Sequence, residues 1–345
     1  MSLHDPDPPR KPPRRVWLYA PYVVLAVGVV GWSLAWLWIR SEVAGRMDAA
    51  AERLREAGFK MDWKARRIGG YPFRIDVDLD GVRLAEPSGW ALAAPRIKSE
   101  AYAYQLGQWI GYAPTGVVLT RPASGSVAIT GPALRASYVR LDHGEARIAI
   151  EGLKLAFAPQ SGAKPFTFSF AEHLDFHSRP AGDDQIEFLL RMDGAAAPAD
   201  SLLSRLAQAK PMDIAWEGEL SHASALRGRD WPSAVQAWTA AGGALEVEHG
   251  ALNAGAMVVN LHPGRLTAGQ DGRLRGVLGL DLRQAPNVIR TLADSRAIDA
   301  GAADSAMTVA KARAAGGPVA QADLAFIAGA MTFGPVAIGP APRVY

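Results

Sequence analysis

Cysteine is absent from this 345-residue chain, and its absence excludes several kinds of chemistry. A chain without thiols has no disulfides, no thiolate metal sites, no iron–sulfur clusters and no cysteine nucleophile. The compartment is not identified in this way, because an oxidising space permits disulfides without requiring them. We predict no cofactor.

A strong excess of one charge is also lacking, although the calculated pI is 9.1. The net charge is +3, and the first fifteen residues contribute +2 of it. The charged residues there are Arg10, Lys11, Arg14, Arg15, Asp5 and Asp7. Binding of nucleic acid needs a basic surface that neutralises phosphates, and the rest of the chain offers none, so we expect no nucleic-acid partner.

Sequence motifs of catalysis are missing too. The chain has no Gly-x-Ser-x-Gly elbow, no Ser-x-x-Lys with its companion motifs, and no phosphate-binding glycine pattern. The sequence therefore favours a protein that is not an enzyme. A hydrolase whose site is assembled from distant residues is the remaining catalytic alternative, because such sites are recognised by geometry.

A long apolar run stands near the N-terminus. Residues 16–39 contain no charged side chain, and as a helix they would rise about 36 Å, enough to cross a hydrocarbon core of about 30 Å. Aromatic residues, which prefer the membrane interface, mark its two ends: Trp17, Tyr19, Tyr22, Trp32, Trp36 and Trp38. We predict a transmembrane helix that binds the lipid bilayer as an anchor.

The flanking charge gives the orientation of this helix. The basic tail, residues 1–15, should stay cytoplasmic, so everything after Ile39 should lie outside. A cleaved signal peptide is the alternative. However, the apolar core of a signal peptide is usually about 7–15 residues long and is followed by small residues, whereas Trp36 and Trp38 are large.

The next segment, residues 40–57, predicts a charged helical stalk. Val43 and Met47 begin a narrow apolar stripe at helical spacing, and Gly58 is a suitable helix stop. We expect this stalk to lean on the following domain.

Apolar residues then alternate with polar ones. In Phe73–Asp80, one strand face carries Phe73, Ile75, Val77 and Leu79, and Asp80-Gly81 predicts a turn. Similar segments follow to the C-terminus with few helices between them. The pattern indicates a mainly β (α+β) domain over residues 58–345: a large curved antiparallel sheet with a few short helices, as one unit or as two lobes divided near residues 194–211.

A weak metal candidate is His173, Asp175 and His177, which share one strand face. Because the alternate positions of this strand are apolar, an ordinary solvated polar face is the simpler interpretation. The same holds for Asp76, Asp78 and Asp80, whose carboxylates lie about 7 Å apart on one strand and do not converge on a cation.

Two segments carry a family resemblance: Gly70-Tyr-Pro-Phe-Arg74 at the start of an alternating strand, and Phe333-Gly-Pro-Val-Ala-Ile-Gly-Pro-Ala-Pro342 near the end. With the anchor and the charged helix, they resemble the domain of unknown function 2125 family. The resemblance implies a protein of the Gram-negative inner membrane that faces the periplasm, with no known activity. More distantly, the architecture is similar to AsmA-like envelope proteins, whose curved sheets expose an apolar groove implicated in phospholipid movement.

Three functional hypotheses follow. The first is non-catalytic binding or transfer of a phospholipid or lipid-like ligand, held by Phe73, Ile75, Val77 and Leu79 if their face is open rather than a closed core. The second is a scaffold that binds another envelope protein through the stalk or a sheet edge. The third is a hydrolase with a dispersed site.

Overall fold

Period-two alternation produces one antiparallel sheet of eighteen strands, in a computed structural model that describes residues 15–141, 145–314 and 316–345. The strands are β1 (Lys60–Asp62), β2 (Ala65–Gly69), β3 (Arg74–Ala85), β4 (Ala91–Tyr102), β5 (Gln105–Tyr112), β6 (Val117–Arg121), β7 (Gly125–Thr130), β8 (Ala133–Arg140), β9 (Ala146–Pro159), β10 (Phe170–Gly182), β11 (Gln185–Ala195), β12 (Met212–Leu220), β13 (Leu245–Ala254), β14 (Met257–Ala268), β15 (Leu274–Arg283), β16 (Val319–Ile327), β17 (Ala330–Phe333) and β18 (Val336–Pro340).

Five α-helices accompany the sheet in the described residues: α1 (Ala20–Glu56), α2 (Leu202–Leu206), α3 (Trp231–Ala240), α4 (Ala285–Asp294) and α5 (Ala300–Ala314). The predicted mainly β class with one large antiparallel sheet and few helices is confirmed. The predicted apolar helix (residues 16–39) and the predicted helical stalk (residues 40–57) lie largely in one continuous helix, α1, of 37 residues. It ends where expected, because Gly58 has a φ of +93° that glycine adopts without strain.

The pairing order is a meander with one branched region. From β9 to β18 each strand pairs with the next along the chain. Between β4 and β9, two short strand pairs lie side by side: β5 with β8, and β6 with β7. The sheet continues past residues 194–211, because β11 pairs directly with β12 across that segment.

Some local predictions were wrong. Asp80-Gly81 is not a turn, since β3 continues through it and keeps its register with β4. The strand β5 was not predicted, because its glycines and polar residues weaken the alternation. A tight turn at Asp271-Gly272 joins β14 to β15.

The largest core lies where α2, α4 and α5 cover one end of the sheet. Its fully buried residues include Leu155, Met212 and Val127 from strands and Ala306 and Ala310 from α5. Alanines at these helix positions let α5 approach the sheet closely, and α5 packs on β16 and β18. A smaller cluster places α3 against the C-terminal residues.

A second core lies under α1. Trp36 and Val43 of α1 are buried together with Ile75, Val77 and Leu79 of β3. The predicted stalk does lean on the domain, and its apolar stripe begins earlier than expected, at Trp32. The predicted basic tail up to residue 14 and the predicted His143-Gly144 turn lie outside the described residues.

Candidate functional site

The predicted ligand face of β3 is a closed core in the structure. Ile75, Val77 and Leu79 are only 0%, 3% and 7% exposed, because α1 lies across them. Phe73, in contrast, is 64% exposed just before the strand begins. These three strand residues therefore do not line an open lipid groove.

Strand register shows that the face covered by α1 continues across the sheet. Directly paired residues on antiparallel strands point to the same side. Starting from Val77, one row of such partners is Ser99, Gly111, Ala136, Ile150, Phe176, Leu190 and Trp216. A neighbouring row on the same face is Trp109, Tyr138, Ile148, Ser178 and Phe188.

These two rows bring large apolar side chains together on β8 to β12. We call this set the apolar patch: Tyr138, Ile148, Ile150, Phe176, Phe188, Leu190 and Trp216. Tyr138 and Ile148 are exposed, at 37% and 38%, and the others are half-buried. Because neighbouring strands are about 4.8 Å apart, the patch extends about 19 Å across the strands.

In the described part of the chain, none of the patch residues on β8 to β11 belongs to a core cluster that contains helix residues. The helices α2, α4 and α5 cover a neighbouring row instead, which contains Leu174 and Met192. At the other side, Trp109 belongs to the core under α1 and pairs with Tyr138. The apolar patch thus begins beside the core under α1, borders the helix-covered core, and ends at Trp216, which packs against a third core that includes Val247 and Leu266.

The opposite face of the same strands is polar. A shallow, open depression of about 600 Å³ is lined there by charges of both signs, including Arg147, Arg179, Glu187 and Glu217. Arg179 and Glu187 are paired, with Nε and Oε2 2.5 Å apart. Such a mixed, solvated surface does not favour an apolar ligand.

The weak metal candidate lies on this polar face. His173 is ringed by acidic side chains: its imidazole nitrogens lie 3.4 Å from Asp175, 3.9 Å from Glu151 and 3.9 Å from Asp193. His177 lies further along β10, beside the depression. Among the described residues, no group of three or more potential ligands is arranged to hold a metal ion.

An ion-pair ladder occupies the outer face of β3. Asp78 receives bonds from Arg96, Asp80 lies 3.0 Å from Arg67, and Asp76 lies 3.6 Å from Arg74. The hydrogen bond from Arg96, with its positive charge, lowers the pKa of Asp78. The three aspartates are therefore partners of arginines on a wet face, as their alternation indicated.

Residues of the Gly70–Arg74 motif fasten the sheet to α1. The indole Nε1 of Trp32 donates to the Pro72 carbonyl at 2.9 Å, and that of Trp36 donates to the Arg74 carbonyl at 2.9 Å. The Tyr71 ring meets the Trp36 ring edge-on at 5.5 Å. The family motif thus has a structural role at the helix.

The sequence analysis did not identify the apolar patch. One signal was present, because the apolar residues Ile186, Phe188, Leu190 and Met192 stand at alternate positions of β11, with only Leu189 apolar between them. That alternation identifies a face, but it does not distinguish Met192, which is buried under helices, from Leu190, which is not. Only the register and the helix positions separate the two.

An apolar helix joined to a single large antiparallel sheet defines a mainly β protein with a candidate membrane anchor or signal sequence at its N-terminus; the most apolar part of α1 has a mean hydropathy of 1.9. The chain belongs to the family described as an uncharacterized protein conserved in bacteria (DUF2125), whose profile matches residues 36–342. This is the family that the two motifs indicated. No curated protein and no solved structure matches the chain, and the similarity to AsmA-like proteins is not shown.

Proposed function

We propose that this protein is a single-pass protein of the bacterial inner membrane whose periplasmic sheet binds or passes phospholipid acyl chains on the apolar patch, without catalysing a reaction. The observation that supports this proposal is that one sheet face continues from the core under α1 into an apolar surface that no described helix covers. An acyl chain that left the bilayer beside α1 would reach this surface across β4 and β5, where the residues of the same row are the small Ser99 and Gly111.

Retention of α1, rather than its cleavage as a signal sequence, is supported by its packing. Removal of the helix would expose Ile75, Val77 and Leu79, which it now buries. Burial of each such side chain is worth about 1.5–3 kcal/mol. The family match also begins at Trp36, inside α1. A removable leader would not be expected to complete the core of the mature domain.

Orientation follows from charge, as argued above, because basic residues precede the apolar run. Between Tyr22 and Trp38, α1 exposes many large apolar side chains, as expected of a lipid-facing surface. The sheet, with its ion-paired outer face, would then lie in the aqueous periplasm.

Photo-crosslinking in living cells tests the ligand proposal. The full chain would carry the photoreactive residue benzoylphenylalanine in place of Phe176, on the patch. The matched control has it in place of His177, the next residue along β10, which lies on the polar face. Purification and intact-mass measurement after irradiation would then identify what was captured.

We expect a phospholipid adduct at position 176 and none at position 177. Equal lipid adducts at both positions, or none at 176, would contradict the proposal. A protein adduct at 176 would also contradict lipid binding on the patch. The scaffold function, which is the second candidate, uses a different part of the sheet. That second candidate rests on β18, a short uncharged strand that pairs only with β17 among the described strands and presents a free edge for strand addition.

A further inference from the structure

Four exposed aromatic side chains gather at one end of the sheet, beside α1. We call this set the aromatic collar: Tyr71, Phe73, Tyr102 and Tyr104, which are 50%, 64%, 52% and 68% exposed. They occupy two adjacent turns. Tyr71 and Phe73 stand between β2 and β3, whereas Tyr102 and Tyr104 stand at the hairpin between β4 and β5.

The two turns are held together. The Ala103 amide donates to the Phe73 carbonyl at 2.9 Å, and Arg74 pairs with Tyr102 across the strands. The rings of Tyr102 and Tyr104 stack with centroids 5.2 Å apart. Four exposed aromatics on a fixed double turn are unusual for a surface that faces only water.

Hydrogen bonds to α1 fix the position of the collar along that helix. Trp32 and Trp36 donate to carbonyls of the first turn, and the Ser33 and Tyr71 hydroxyls lie 2.9 Å apart. Trp36 and Trp32 lie three and seven residues before Ile39, the last residue of the uncharged run. At 1.5 Å per residue, the turn lies about 5–10 Å inside the outer end of that run.

We propose that the aromatic collar inserts into the outer interface of the same bilayer that α1 crosses, so that the sheet is held at a fixed height and tilt on the membrane surface. This inference rests on the anchor part of the proposed function. Aromatic side chains prefer this level of a bilayer, and interfacial elements bury their apolar faces about 5–10 Å deep. The collar therefore lies at the depth that suits its chemistry.

The residues around the collar agree with this placement. Arg74 directly follows Phe73, and its guanidinium lies 3.0 Å from the Glu100 carboxylate. Charged residues therefore stand immediately beside the collar, on the strands that lead away from the two turns. Charged groups next to aromatic ones are typical of the headgroup level, where long side chains keep their charges in water. Docking there would also bring the strand carrying Val77, and the row leading to the apolar patch, close to the bilayer.

Depth-dependent fluorescence quenching tests the inference on the full chain. Because the sequence has no cysteine, a single cysteine gives one labelling site. A bimane probe would be attached to Tyr104→Cys, to Ile327→Cys as an exposed control on β16, and to Val27→Cys, which is exposed on α1. Each protein would be reconstituted in vesicles of phosphatidylcholine and phosphatidylglycerol and checked for its β-sheet circular dichroism signal.

We expect shallow nitroxide lipids to quench the Tyr104→Cys probe. Iodide in the buffer should quench the Ile327→Cys probe at least about twice as strongly as the Tyr104→Cys probe. Deep nitroxide lipids should quench the Val27→Cys probe. If Val27→Cys is quenched by lipid but Tyr104→Cys is as open to iodide as the control, the collar inference is wrong and the anchor stands. If Tyr104→Cys is shielded from both quenchers, a protein covers the collar, which also overturns the inference. Absence of lipid quenching at Val27→Cys would instead contradict the anchor itself.

Discussion

The most direct consequence of the structure is that Trp36 is a core residue of the sheet domain as well as part of an apolar helix. It is 6% exposed, and its indole nitrogen donates to the Arg74 carbonyl. Trp38 lies two residues further on the same helix but is 66% exposed. The pair allows the contribution of packing on the sheet to be separated from that of the apolar helix alone.

We predict that Trp36→Ala lowers the free energy of unfolding by about 3 kcal/mol. Truncation of a buried tryptophan usually costs about 3–5 kcal/mol, including about 0.5–1.5 kcal/mol for its hydrogen bond. The lower end applies because a detergent micelle would still solvate α1 after the sheet unfolds. Trp36→Phe keeps most of the ring, so it should cost about 1 kcal/mol.

Urea unfolding of the full chain in micelles, followed by the β-sheet circular dichroism signal, measures these values. Trp38→Ala is the control and should cost less than about 0.5 kcal/mol, because an exposed side chain loses no packing. If Trp36→Ala and Trp38→Ala differ by less than about 0.5 kcal/mol, α1 is only a tether and the closed core under it is refuted.

Three further outcomes are expected. Leu190→Asp should reduce the phospholipid that copurifies with the full chain, whereas Leu189→Asp on the opposite face should not; equal loss, measured by lipid mass spectrometry, would count against the apolar patch. Asp78→Asn should lower the free energy of unfolding at neutral pH by about 0.2–1 kcal/mol. Because the pKa of Asp78 is lowered in the folded state, the wild type should lose this extra stability as the pH falls through that pKa. If the two proteins still differ by the same free energy of unfolding in acid, the ion pair of Asp78 is not the cause. Gly116→Ala should destabilise the fold more than Gly242→Ala. Both glycines have a positive φ, +77° and +84°, but a Cβ added at Gly116 would lie 2.2 Å from a strand carbonyl oxygen, whereas one added at Gly242 would meet nothing within 4 Å. Equal unfolding midpoints of the two variants would contradict this prediction.

Several local features could be predicted because their causes are local. A long uncharged run predicts a helix because a helix satisfies all the backbone hydrogen bonds of a segment within itself, and Gly58 ends that helix because its backbone adopts a positive φ. The alternation in Phe73–Asp80 shows which side chains share a strand face, since successive residues of a strand point to opposite sides. The arginine partners of Asp76, Asp78 and Asp80 are likewise consistent with the wet face that their spacing indicated.

Other features were decided by the tertiary structure alone. Val77 and Leu190 both lie at apolar positions of alternating strands. However, α1 buries Val77, whereas Leu190 belongs to no core cluster with helix residues in the described part of the chain. Likewise, nothing in the spacing of Tyr71 and Tyr104 shows that their turns meet beside Trp36. The apolar helix and the class of the sheet could be predicted from the sequence, because both follow from short-range periodicity. Strand register and helix placement, which join residues far apart in the chain, decided which apolar face is core and which remains open.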